Sequence, residues 1–102
     1  MSLPLIVLPE AEEELDEAML WYEGRNAGLG LQFLGCIAHV LRAIQEAPDR
    51  FPAWVEDDRY RVAGVRRFPY LVVFEARTES IEIVAFANAR RRPGYWRERS
   101  AP

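Results

Sequence analysis

The chain has no lysine, a single cysteine, a single histidine and no long apolar run. Each absence removes a class of chemistry. With Cys36 alone, an internal disulfide is excluded, and its place on the apolar spacing of a helix reads as a buried structural thiol rather than a reactive one. His39 alone excludes paired-histidine zinc motifs, and it stands off the main apolar stripe as a surface residue does. No metal site and no cofactor are expected. The apolar runs are broken by charge and fall far short of the roughly 20 residues a membrane span needs. The start of the chain also lacks the basic, apolar and small-residue pattern of a secretory signal, so a cytoplasmic protein with no membrane partner is expected. Repeats and low-complexity stretches are missing as well.

What is present is enough for one folded unit. At 102 residues, half of them apolar, the chain can bury a core without disulfides or metal. A single domain over residues 1–102 is expected, with 99–102 as a disordered tail. The net charge of −3 hides a division along the chain. Residues 1–23 hold seven acids and no base, whereas residues 59–102 hold ten arginines against four acids. Such asymmetry points to an electrostatic partner, because a local patch steers more than the total charge does. Codon usage in a GC-rich genome explains an all-arginine set blandly; selection for bidentate contacts explains it sharply.

Leu3 to Leu8 reads as a buried strand stopped by Pro9. Pro9 suits the first position of a helix, and Glu10, Glu12, Glu13 and Glu14 complement the partial positive charge at its start. The acidic group is read as a solvated helix start, not an acid–base or metal site. Ala11, Leu15, Ala18, Met19 and Tyr22 form its apolar stripe. Glycines and Asn26 between Gly24 and Gly30 turn the chain. A second helix then carries Leu29, Phe33, Cys36, Ile37, Val40, Leu41 and Ile44, and Pro48 ends it. The two helices are expected as an antiparallel hairpin on a common sheet.

Asp49 to Asp58 reads as irregular, and strands follow. Arg59 and Arg61 share one face of a strand against Tyr60 and Val62. Phe68 to Ala76 is apolar on both faces, with Phe68, Tyr70, Val72 and Phe74 on one side and Leu71 and Val73 on the other, as in a central strand. After a turn at Thr78-Glu79-Ser80, Ile81, Ile83 and Ala85 alternate with Glu82, Val84 and Phe86 in a last strand that ends near Asn88. The fold class is α+β, in the order β-α-α-β-β-β, with the helices on one face of a mainly antiparallel sheet. Leu71, Val73, Val84 or Phe86 would then lie open on the other face unless Pro93 to Arg99 folds back with Tyr95 and Trp96. An apolar groove there, rimmed by arginine, would suit a partner segment.

The strands deliver Arg66-Arg67 and then Arg90-Arg91-Arg92-Pro93-Gly94-Tyr95-Trp96-Arg97-Glu98-Arg99. Arginine keeps its charge and presents a flat donor fork that suits phosphates and carboxylates. The ordered set Ala11-x-x-x-Leu15 with Trp21-Tyr22, Gly28-Leu29-Gly30 with Phe33, Pro48, Arg67-Phe68-Pro69-Tyr70-Leu71-Val72-Val73-Phe74 and Arg90-Arg91-x-Pro93-x-x-Trp96-x-x-Arg99 resembles the RelE/ParE family. These are bacterial toxins of type II toxin–antitoxin modules, including plasmid stabilization proteins.

The resemblance implies a small sheet carrying a helical hairpin, and a cognate antitoxin that wraps and blocks the toxin as a hetero-oligomer. It implies one of two activities. ParE-like members poison DNA gyrase through protein contacts, and RelE-like members cleave messenger RNA on the ribosome. A third possibility is an inactive member that only binds its antitoxin. For RNA cleavage, Arg61, Arg67, Arg90 and Arg91 would hold phosphate and Tyr95 would stack on a base or donate a proton. A proton acceptor is scarce: many relatives carry histidine where this chain has Asn88, and RNase members carry arginine where it has Leu71. Glu56, Asp57 and Glu75 are the acids left for that role. The ParE-like reading is therefore preferred, with Arg59, Arg61, Arg67, Leu71, Val73, Arg90, Arg91, Arg92, Tyr95, Trp96 and Arg99 as residues facing the target or partner. Against it, Arg59 and Arg61 also suit an ordinary solvated strand face, and Tyr95 and Trp96 suit simple packing over the sheet.

Overall fold

In the computed structural model, which describes residues 2–99, the apolar run at the start forms strand β1, Leu5–Val7. Helix α1, Pro9–Arg25, follows with proline in its first turn and Glu10 and Glu12 at its positive end. Helix α2, Leu29–Glu46, is separated from it by three residues. Two glycines make so short a turn possible. Gly28 takes φ +90, and a Cβ on Gly30 would stand 2.8 Å from the Met19 carbonyl oxygen, so only glycine lets the helices approach this closely. Glu23 completes the turn by accepting hydrogen bonds from the Gly28 and Gly30 amides at 2.9 and 3.0 Å. These are donors that a helix start leaves without partners.

A short 3-10 turn, Pro48–Arg50, leads into strands β2, Ala53–Trp54, β3, Asp57–Gly64, β4, Tyr70–Ala76, and β5, Ile81–Asn88. The five strands stand in the order β1-β5-β4-β3-β2. Only β1 and β5 are parallel. The fold is thus α+β, with both helices on one face of a mixed sheet. Strand β2 lies inside the segment expected to be irregular; two residues are too few to show a period. Strand β4 begins two residues later than expected, because Arg67 takes a left-handed φ of 72 and breaks the extended run before Phe68.

Two apolar clusters flank the sheet. On the helix side Phe33, Ile37 and Ile44 pack with Phe68, Val72, Phe74, Ile81, Ile83 and Phe86. On the far side Tyr60, Val73, Val84, Ala85 and Ala87 pack under Trp96, with Leu8, Trp54 and Tyr95 at the margin. The expected face of Phe68, Tyr70, Val72 and Phe74 is found. The expected alternation of β5 is not. Val73 pairs with Ala85 while the next residue, Phe74, pairs with Ile83, so Val84 is an extra residue in β5. That bulge shifts the phase by one, sending Phe86 to the helix side and Ala85 to the other. The anticipated groove on the far face is filled, since residues after β5 fold back across it. Of the expected tail 99–102, Arg99 is held in the fold, and 100–102 lie outside the described residues. Cys36 is half-buried rather than buried.

Candidate functional site

Strand β5 ends in a turn built by Asn88. Its side-chain oxygen accepts from the Arg90 amide at 2.9 Å and its carbonyl from the Arg91 amide at 3.0 Å, which reverses the chain at the strand's exit. Gly94, at φ +91, turns it again beneath Trp54. Trp96 then drops onto the far face and is 3% exposed, with its ring 5.2 Å from that of Trp54. The Tyr60 hydroxyl donates to the Arg97 carbonyl at 2.7 Å, fixing the segment's end.

The centre of this arrangement is Glu14, on the second turn of α1. Its carboxylate accepts from Arg99 Nη1 at 2.8 Å and Nη2 at 3.1 Å, from the Tyr95 hydroxyl, and from the Phe86 amide at 3.1 Å. Arg91 Nη1 lies 3.6 Å away. The Glu14 side chain is 13% exposed and that of Arg99 17%. Removing one partner of such a largely buried pair is destabilising, because the other charge is left with less compensation than it needs. Two guanidinium groups lie over the Tyr95 ring, Arg91 at 3.8 Å and Arg99 at 5.0 Å from its centre. Burial first, and then donation to Glu14, push the Tyr95 hydroxyl well above the ordinary tyrosine range. It stays protonated and is a poor proton donor.

Beside the cluster, between α1 and the exit of β5, opens a cleft of about 540 Å³. Buried or half-buried Ala18, Tyr22, Tyr70 and Phe86 line it, with exposed Glu17, Trp21, Arg90 and Arg91. Burial, and then the neighbouring Tyr70, raise the pKa of Tyr22, while the charge of Arg90 works against them. Arg90 and Arg92 are exposed, and neither forms an ion pair among the described residues. No cluster of three or more histidine, cysteine, aspartate or glutamate side chains that could hold a metal occurs among the described residues, and no described helix is long and apolar enough to cross a membrane.

The residues singled out in the sequence fall in separate places. Arg90, Arg91, Tyr95 and Arg99 come together around Glu14 and the cleft, with Arg92 next to them in the chain. Arg61 does not join them; its Nη1 donates to the Phe51 carbonyl at 2.6 Å. Arg59 pairs with Glu75 at 3.1 Å. Arg67 reaches Gln32 on α2 at 2.9 Å and lines a separate groove with Cys36, His39 and Arg66. Val73 and Trp96 are enclosed, so neither offers the partner-facing surface expected of it, and Leu71 is half-buried. Among the candidate bases, Glu75 also meets Arg77 at 3.4 Å, Glu56 stands 3.8 Å from Arg97, and Asp57 accepts from the Arg59 amide. Glu14, read as part of a solvated helix start, is the residue the sequence reading missed. A signal existed: Glu14 stands three residues after Ala11 and four before Ala18, both buried, and so lies on the helix's inner face.

A family model described as the ParE toxin of the type II toxin–antitoxin system parDE matches residues 5–93. Among solved structures, a chain of the chromosomal ParDE TA system from P. aeruginosa has the same fold. The TM-score is 0.73 at 18% identity, over 86% of this chain and 97% of that one. No curated protein matches the chain.

Proposed function

The chain belongs to the ParE toxin family of type II toxin–antitoxin systems, and from that membership we propose that it arrests growth by binding DNA gyrase and is neutralised by a cognate antitoxin protein in a hetero-oligomer. The observation that carries the reading is a cleft with aromatic side chains in its lining and Arg90 at its rim, next in the chain to exposed Arg92, neither arginine forming an ion pair among the described residues. Interfaces favour this combination, since arginine and aromatic side chains dominate binding hot spots.

Recognition is favoured over RNA cleavage on the state of the acids. A nuclease needs a group to take a proton from the 2′-OH. Glu14, Glu56, Asp57 and Glu75 are each engaged by arginine or by backbone amides. Glu17, in the cleft, is exposed and has no enclosing pocket around it. The Tyr95 hydroxyl is already committed to Glu14, and two guanidinium groups lie over its ring.

The test is a supercoiling assay with purified, antitoxin-free protein. The wild type should inhibit gyrase, and Arg90→Ala with Arg92→Ala should lower potency on the order of tenfold or more with thermal stability retained. Untouched supercoiling at high excess, with mRNA cut at the ribosomal A site in a translating extract, would replace this reading by the nuclease one.

A further inference from the structure

We infer that Glu14 is the positioning residue of the arginine face: one carboxylate on α1 sets the conformation of the segment that presents Arg90 and Arg92. The inference rests on the reading that those two arginines meet the target, and it adds a division of labour among the arginines. Arg99 and Arg91 serve the fold, whereas Arg90 and Arg92 are left for a partner.

The segment is fixed at both ends. At its start, Asn88 holds the Arg90 and Arg91 amides. Farther on, Glu14 takes Arg91, Tyr95 and Arg99, which stand four residues apart and so span the whole segment. Between these anchors the backbone of residues 90–92 has little freedom, and it carries exposed Arg90 and Arg92, neither in an ion pair among the described residues, on a set frame. Pre-organisation of this kind lowers the ordering entropy that binding must otherwise overcome.

Glu14 does this where the sheet is otherwise unfinished. Strand β1 covers β5 only as far as Ile83, with the Leu8 amide donating to the Ile83 carbonyl. Beyond that point the edge of β5 would be open. The Phe86 amide donates to Glu14 and the Val84 carbonyl accepts from Arg99 at 3.2 Å, so the same ion pair closes the edge and ties down the segment. Neighbouring Glu10, Glu12 and Glu13 are exposed and make no hydrogen bond to the segment among the described residues; Glu10 acts on Arg99 only through its charge. Without the negative charge of Glu14, half-buried Arg99 would lose its bidentate partner and be loosened from the site, and the segment with it.

The experiment is amide hydrogen exchange on the full chain, comparing the wild type with Glu14→Gln, which keeps the size and loses the charge. Exchange at Phe86 and across residues 91–99 should accelerate roughly tenfold or more, with α2 and β4 unchanged, and gyrase inhibition should fall although the protein remains folded. Tyr95→Phe removes one contact and keeps the ion pair; a smaller acceleration confined to the same segment is expected, and it carries the test if Glu14→Gln fails to fold. Unchanged exchange, or equal acceleration throughout the chain, would overturn the inference. Wild-type protein that does not inhibit gyrase would sink the target assignment alone, because the exchange pattern is read without gyrase.

Discussion

Tyr95 shows how a side chain's role is decided by what surrounds it. In the sequence it is an aromatic residue after an arginine run, equally suited to stacking on a base, donating a proton or packing. In the fold Arg91 and Arg99 lie over its ring and its hydroxyl donates to Glu14, so packing and positioning account for it. The same surroundings make a pH prediction. A tyrosine whose folded pKa is raised contributes stability that is complete below the unfolded value, 10.0, and is lost as pH climbs from there through the folded value. Wild-type stability should therefore fall above about pH 10, because the unfolded chain gives up the proton that burial, and then the bond to Glu14, make the folded hydroxyl keep. Tyr95→Phe should be less stable at neutral pH yet show a shallower alkaline loss, keeping only the slope from Tyr22 and Tyr60, which burial also raises. Urea midpoints from pH 8 to 11 decide the matter; parallel curves for the two proteins would remove Tyr95 from the account.

At the scale of elements, the sequence carried the helices well and the strand details poorly. The spacing of Phe33, Ile37, Val40 and Ile44 fixes α2 because a helical stripe repeats over several turns, and Pro9 and Pro48 mark where the helical run starts and stops. The bulge at Val84 had no such signal. Val84, Ala85 and Phe86 are all apolar, so either phase of alternation suits them, and only the pairing of Val73 with Ala85 reveals which was taken. Strand β2 was equally invisible; the inward position of Glu14 was legible from its spacing to Ala11 and Ala18, but not which strand it would meet, since β5 is distant in sequence. The helical hairpin also yields a prediction. A methyl group at Gly30 would meet the Met19 carbonyl at 2.8 Å and the Glu23 Cβ at 3.1 Å. Backbone cannot yield there without separating the helices and loosening the caps that Glu23 provides. Gly30→Ala should thus cost about 1–3 kcal/mol, despite alanine's better helix propensity. Chemical denaturation would measure the loss, and a stabilised variant would mean that the hairpin repacks freely.

For the molecule as a whole, the division of charge along the chain becomes a contact between its two ends. The acidic N-terminal helix supplies Glu14, the basic C-terminal segment supplies Arg91 and Arg99, and their meeting folds the segment over the face of the sheet that the helices leave bare. Only Leu8 and Trp54 help cover that face from elsewhere among the described residues. Tyr60, Val73 and Val84 are wholly buried under a layer made chiefly of Trp96, with Trp54 and Tyr95 beside it. A chain ending at residue 92 should keep both helices and all five strands but lose this layer. Removing Trp96 alone corresponds to the larger core truncations, about 3–5 kcal/mol, and the open edge of β5 would lose Arg99 as well. The shortened protein should melt at lower temperature and associate as its concentration rises, because an uncovered apolar sheet face beside an unpaired strand edge is a template for other chains. Calorimetry and sedimentation velocity would follow the two effects. A shortened chain that stayed monomeric with the wild-type melting temperature would mean that the far face is stable in water without its cover.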